Sequence, residues 1–172
     1  CGLDWSRISP AIFGALFQSV MDQKLRRNLG AHYTTEKNIL KLIRPLFLDD
    51  LRAEFERVKG QSQKLREFHR KLASLKFLDP ACGCGNFLVI AYRELRLLEL
   101  DILRVIYKNA KALSLDVGTF NILCDVDQFF GIEIEEFPAQ IAQTAMWLMD
   151  HQMNMQVSVE FGSYFVRLPL KK

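Results

Sequence analysis

The sequence predicts an α/β protein built on parallel strands. Two observations carry that prediction. A short apolar run, "KFLDP", is stopped by Asp79-Pro80 and followed by a glycine turn and a long helical stretch. The same order returns in "QFFGIEI" and "EFPAQIAQTAMWLMDHQMN". Strand–helix–strand–helix favours parallel strands joined by crossover helices.

The elements follow in chain order. From Pro10 to about Asn28, apolar residues at Ile12, Phe13, Leu16, Phe17, Val20, Met21 and Leu25 keep a helical period. Ser9 suits the cap of that helix and Gly30 ends it. Thr35 suits the cap of a second helix through Ile39, Leu40, Leu42 and Ile43, expected to break or kink at Pro45. Seven Lys or Arg fall between Arg57 and Lys76. With mixed signs and no interleaved aromatics, they read as a solvated helix pair around Gly60 rather than a phosphate-facing patch. "KFLD" is a buried strand ending at Asp79, and residues 86–110 form a long helix. "LSLDVGTFNILCDVD" has no clear period and reads as an insertion. "QFFGIEI" is a second buried strand, and a helix follows with Pro138 near its first turn. "VSVEFGSYFVRL" alternates and suggests one or two short strands around Gly162-Ser163. The chain thus divides into a helical segment 1–50, a charged helical connection 51–76 and a partial sheet domain 77–172.

Composition narrows the classes. The 172 residues are 49% apolar and 25% charged, which describes a globular chain with one core. A net charge of +3 permits nucleic-acid binding without arguing for it. No apolar run approaches the span of a bilayer and no leader precedes the first helix, so the expected address is cytoplasmic. Cys1, Cys82, Cys84 and Cys124 form no C-x-x-C pair, and His32, His69 and His151 are scattered. Zinc needs about four clustered ligands, so neither a metal site nor a disulfide framework is expected. The start at Cys1-Gly2 and the end at Leu168–Lys172 read as parts of a larger polypeptide.

The stretch "FLDPACGCGNFL" carries the chemistry. Small residues let backbone approach a ligand, and a helix start offers free N–H groups. Such a turn lies at the carboxyl end of its strand, where open α/β sheets bind ligands. The second strand ends at Glu133, and one carboxylate can accept hydrogen bonds from both hydroxyls of a ribose. Turn and acid together read as a nucleoside-containing cofactor. A dinucleotide site would want a third glycine, and Asp79 stands where a phosphate would sit. That acid suits a cationic ligand, and S-adenosylmethionine joins a ribose to a sulfonium and an ammonium. The two cysteines then read as small residues of a tight turn.

"DPACGCGNF" resembles the glycine-loop motif D-P-A-C-G-S-G-x-F of DNA adenine-N6 methyltransferases, with Cys84 where serine is more common. "GAHYTTEKNI" resembles the tyrosine–threonine motif before it, and "FFGIEIEEFPAQIAQTAMWLM" the motif with the ribose-binding acid. Together they cover roughly Ile8 to Asn154. Their order is that of the gamma class, found in type I modification subunits and single-chain type IIG restriction–modification enzymes. "DHQMN" and "YFVRLPL" look most like the large single-chain enzymes.

The resemblance implies a class I S-adenosylmethionine-dependent, Rossmann-like methyltransferase fold, truncated here and preceded by N-terminal helices. It implies that Tyr33, Thr34 and Thr35 border the methionine end of the cofactor. Asp79 would contact its amino group, and Ala81, Cys82, Gly83 and Gly85 would supply backbone contacts. Glu133 would bind the ribose hydroxyls and Ile134 would pack on the adenine. Three of these have a plainer reading, Thr35 as a helix cap, Ile134 as core and Tyr33 as a packed aromatic, and Glu133 and Asp79 stand above them. His32 and Asn86 are weaker candidates.

The family's catalytic N/D-P-P-Y/F motif is absent. The prolines are Pro10, Pro45, Pro80, Pro138 and Pro169, and none are adjacent. No catalytic residue is therefore assigned, and the chain alone is expected not to methylate DNA and to bind cofactor weakly or not at all. Its implied partners are S-adenosylmethionine, DNA in the longer protein, and other restriction–modification domains or subunits. Three other readings compete: a non-catalytic DNA- or partner-binding module, a Rossmann-type oxidoreductase, and a small-molecule methyltransferase. Cytosine-N4 enzymes also share much of the pattern.

Overall fold

A computed structural model of the chain describes residues 34–112 and 121–161, together with Ile12. The rest of the expected N-terminal helix, with His32 and Tyr33, lies outside the described residues, as do residues 113–120 and 162–172. Five α-helices and two strands are described, with a π-helical turn (Arg44–Leu48) and a 3-10 turn (Val126–Gln128) between them. They are α1 (Glu36–Ile43), α2 (Asp49–Val58), α3 (Ser62–Ser74), β1 (Phe77–Asp79), α4 (Asn86–Ala112), β2 (Phe129–Gly131) and α5 (Glu136–Phe161).

Thr35 stands at the N-cap of α1, as its position predicts, but caps with its backbone. Its carbonyl accepts from the N–H groups of Asn38 and Ile39 at 2.9 and 3.0 Å, and its hydroxyl makes no cap bond. Pro45 does not break the chain into separate helices. A π-helical turn over Arg44–Leu48 bridges α1 and α2 and takes up the missing proline donor. α2 and α3 form the solvated pair expected around Gly60. They bury Leu51 and Phe55 on one side and Leu65, Phe68, His69 and Leu72 on the other. Their outer faces carry ion pairs such as Lys71–Glu54 and Lys59–Glu56.

β1 and β2 pair in parallel, with Phe77 opposite Phe129, Leu78 opposite Phe130 and Asp79 opposite Gly131. The expectation of two buried strands needs correction. Alternate residues of a strand face opposite ways. Phe77 and Phe129 turn toward the helices and stack at 4.7 Å, and Tyr92 of α4 meets Phe129 edge-on at 5.3 Å. Leu78 and Phe130 turn the other way and are 63% and 49% exposed. The helices that bury the sheet all lie on its Phe129 side among the described residues.

α4 is the centre of the molecule. Leu95, Leu98 and Ile102 pack against α2 and α3. Leu88, Val89 and Tyr92 pack against Ala145, Met146, Met149 and Met153 of α5. Ile90 and Ala91 pack against Ile39 and Ile43 of α1. A helix packed on three sides buries its polar residues too, and those must be paired. Arg96 is 2% exposed. It donates to Tyr92 Oη at 2.7 Å, Asp150 Oδ1 at 3.0 Å and Asn154 Oδ1 at 2.8 Å. Its Nε faces Glu99 Oε2 at 3.1 Å. Glu99 Oε1 is 2.8 Å from His69 Nε2, and it accepts from the backbone N–H groups of Leu123 and Cys124 at 2.7 and 2.9 Å.

This network explains a second correction. The alternation of "VSVEF" suggests a strand, yet α5 continues helically to Phe161. Asp150, Asn154, Val157 and Ser158 are buried on one helical face, and the first two are bonded to Arg96. Arg104 of α4 holds the far end through Glu160, with bonds of 2.5 and 2.8 Å.

Burial raises the Glu99 carboxyl, but the His69 hydrogen bond, the Arg96 charge and the Cys124 N–H together outweigh it. The group is held below the usual carboxylate range. A carboxyl lowered on folding adds stability above its unfolded value, and that share is lost as pH falls through the folded one. Replacing Glu99 with Ala takes one of two carboxylate partners from the buried Arg96 and strips the His69 ring and the Leu123 and Cys124 N–H groups of their acceptor. We expect a loss of about 3–5 kcal/mol in urea unfolding. Acid titration of wild-type stability should steepen below about pH 5, and Glu99→Gln should flatten that slope.

Candidate functional site

The glycine turn is built by backbone pairing that runs past the strand ends. Ile132 N–H donates to the Asp79 carbonyl at 2.9 Å, and Cys82 N–H donates back to the Ile132 carbonyl at 3.0 Å. The turn is thereby folded over the end of β2, next to the residue that follows Ile132. Gly85 N–H closes the turn on the Cys82 carbonyl at 2.8 Å, and the Gly85 carbonyl accepts an early α4 bond from Val89 at 2.9 Å.

Two glycines of the turn need the left-handed region that favours glycine, with φ of 54° at Gly83 and 77° at Gly85. Their surroundings differ. A Cβ on Gly83 would meet nothing within 4 Å, so this edge of the turn is open. A Cβ on Gly85 would lie 2.8 Å from Cβ of Ala142, which sets how closely α5 approaches the turn.

The two acids close on this turn. Asp79 Oδ1 accepts from the Ala81 N–H at 3.1 Å. β2 stops at Gly131, two residues short of the strand end expected at Glu133, so Glu133 reaches across from the connection that follows; its Oε2 accepts from the Gly83 N–H at 2.9 Å and its Oε1 from the Glu135 N–H at 3.0 Å. Ile134, the next residue, is 92% exposed.

The cysteines fit as packing residues. Burial raises the Cys82 thiol, and Asp79 and Glu133 raise it further. Burial and Glu133 push Cys84 up to about 11. Both stay protonated near neutrality, which removes the thiolate that nucleophilic or metal chemistry needs. No group of three His, Cys, Asp or Glu among the described residues is placed to hold a metal ion.

Of the residues singled out in the sequence, the structure brings Asp79, Ala81, Cys82, Gly83, Gly85 and Glu133 together. Ile134 stands beside them on the β2–α5 connection. Thr34 and Thr35 lie at the head of α1, which packs through Ile39 and Ile43 on Ile90, Ala91 and Phe87 at the turn-proximal part of α4. Asn86 is the first residue of α4. Three further residues shape the site. Ala142 faces Gly85, Glu135 supplies an N–H to Glu133, and Gly131 lies under Cys82, whose Sγ would be 2.6 Å from a Cβ there. The glycine of "FFGIE" was the one signal of this set readable from sequence.

Alanine at Gly83 meets only the left-handed strain, about 1–2 kcal/mol. Alanine at Gly85 adds the clash with Ala142, so its cost should exceed that of Gly83→Ala by about 1–3 kcal/mol. Urea unfolding of the two variants checks the order.

Residues 55–172 match the family model described as MmeI, DNA-methyltransferase domain. DNA methyltransferase A of Bacillus subtilis (strain 168) is 41% identical over 164 residues, covering 93% of this chain and 18% of its own length. The solved structure of the Type IIL restriction–modification enzyme MmeI in complex with DNA superposes with a TM-score of 0.85 at 65% identity. It covers 100% of this chain, which in turn spans 23% of that one. The chain spans less than a fifth of the length of the curated relatives it matches.

Proposed function

Because the chain belongs to the MmeI DNA-methyltransferase domain family, we propose that it is the S-adenosylmethionine-binding part of a restriction–modification DNA methyltransferase. The observation that carries this reading is the meeting of the Glu133 carboxylate with the glycine turn, 2.9 Å from the Gly83 N–H, at the carboxyl ends of two parallel strands. A ligand at that place meets an acid for ribose hydroxyls, an open backbone edge and the exposed side chain of Ile134.

The residues fit the cofactor chemically. Asp79 and Glu133 put two carboxylates on the turn, which suits a ligand bearing a sulfonium and an ammonium and opposes a phosphate. Glu133 holds the ribose, Asp79 the amino group, and the backbone of Ala81 to Gly85 lines the edge between them. Ile134 covers the adenine, and Tyr33, Thr34 and Thr35 border the methionine end. When bound, the cofactor supplies an activated methyl group for in-line transfer to a nitrogen. The strand pair and its helices form part of a Rossmann-like sheet of the class I methyltransferases. The motif order favours the gamma class, adenine N6 as the methylated atom, and a cytoplasmic enzyme acting on DNA.

Adenine's exocyclic nitrogen is a weak nucleophile that needs a positioned base and acceptors for its protons. The N/D-P-P-Y/F motif that would supply them is not in this sequence. The chain alone is expected to bind the methyl donor weakly, without methylating DNA. N6-methyladenine formed by the purified chain would overturn that.

Calorimetric titration of S-adenosylmethionine into the chain tests the binding itself. The expected result is one site, weakened at least ~30-fold in Glu133→Ala by loss of charge-assisted hydrogen bonds. A folded wild-type chain that binds no S-adenosylmethionine, or a variant that binds it equally well, would contradict the reading.

A further inference from the structure

Glu133 does more in this structure than stand ready for a ribose. Both of its oxygens already accept a backbone N–H, Oε2 from Gly83 and Oε1 from Glu135. The first of these spans fifty residues of sequence. The second fixes the carboxylate on its own connection, so the acid is held at one end and holds at the other. Gly83 is the residue that needs holding. It has a φ of 54° and no neighbour within 4 Å of where a Cβ would be, so side-chain packing there does not set its conformation. The flanking anchors are the Cys82 N–H on Ile132 and the Gly85 N–H on Cys82. The peptide between them is oriented by Glu133.

We infer that Glu133 is a positioning residue of the glycine turn: its carboxylate sets the Gly83 peptide in the ligand-free chain and keeps that bond when the ribose arrives. The count of acceptor sites permits both roles. An ionised carboxylate offers about four lone-pair directions, two on each oxygen. Gly83 and Glu135 fill one on each oxygen. One per oxygen is left, which matches the two vicinal hydroxyls of a ribose. The turn therefore has its binding shape before ligand arrives, and ligand binding requires no release of the turn. Preorganisation of this kind lowers the ordering cost of binding. The second half of the inference rests on the proposed cofactor site; the first half does not.

Methionine at 133 separates the positioning role from simple bulk. It keeps the length of the side chain but has no oxygen to accept from either the Gly83 or the Glu135 N–H. Amide-resolved hydrogen exchange on the ligand-free chain is the test. The expected result is exchange at Gly83 faster by about 10-fold or more in Glu133→Met, as for loss of a hydrogen bond to a charged group. The Ile90 and Tyr92 amides of α4 should keep their wild-type rates. Unchanged exchange at Gly83 would overturn the inference. Should every amide accelerate, the variant has lost its fold, and the wild-type chain decides. A through-hydrogen-bond scalar coupling between the Gly83 nitrogen and the Glu133 carboxyl carbon supports the bond, and its absence overturns it.

Saturating S-adenosylhomocysteine then tests the sharing. Protection at Gly83 should hold or rise, and faster exchange there would show that the acid lets go. A chain that shows the ligand-free effect yet binds no S-adenosylhomocysteine would refute the cofactor assignment and the sharing, while leaving the positioning role intact.

Discussion

The ion pair between Arg96 and Glu99, buried side by side on α4, is the contact on which the rest of the structure depends. Neither charge could be buried alone. Each is tolerated because it also bonds a different neighbour. Arg96 is turned toward α5 through Asp150 and Asn154. Glu99 is turned toward α3 through His69 and toward the chain entering β2 through the N–H groups of Leu123 and Cys124. One pair therefore fixes two helices and the approach to a strand against α4. Gln128 adds to this, bonding the carbonyls of Leu72 and Leu75 at the end of α3 while its Oε1 accepts from Asp125 N–H.

That arrangement sets the height of β2 against β1, and the height of β2 sets the site. With Gly131 opposite Asp79, Ile132 exchanges hydrogen bonds with both sides of the glycine turn, and Glu133 falls beside Gly83. A shift of β2 by one residue would point this acid to the other face of the sheet. Close packing keeps the rest in place. Cys82 lies over Gly131 and Ala142 lies against Gly85, so two small-residue contacts govern how near the turn sits to β2 and α5. The proposed chemistry uses few groups, but their separation is controlled by contacts on three other elements.

The turn and its acid were legible in the sequence because the signals are local. Asp-Pro stops a strand, glycines mark the turn, and a glutamate ends the second apolar run. The parallel pairing followed from the repeat of that order. What escaped reading depends on residues far apart. Nothing around Glu99 announces that its acceptor oxygen serves amides 24 and 25 positions away. The last turns of α5 were misread for a related reason. Val157, Val159 and Phe161 alternate with polar residues as in a strand, yet Ser158 is buried and Val159 is exposed, so burial follows a helical face instead. Leu78 and Phe130 were expected inside because the runs are apolar on both faces, but helices cover one face of the described sheet.

The central claim is that a nucleoside cofactor lies between the glycine turn and Glu133. A crystal structure of the chain grown with S-adenosylhomocysteine tests it most directly. The account predicts both ribose hydroxyls within hydrogen-bonding distance of the Glu133 carboxylate, the adenine against Ile134, and the amino group on the Asp79 side of the turn. A ligand bound elsewhere, or one whose ribose faces away from Glu133, would contradict it.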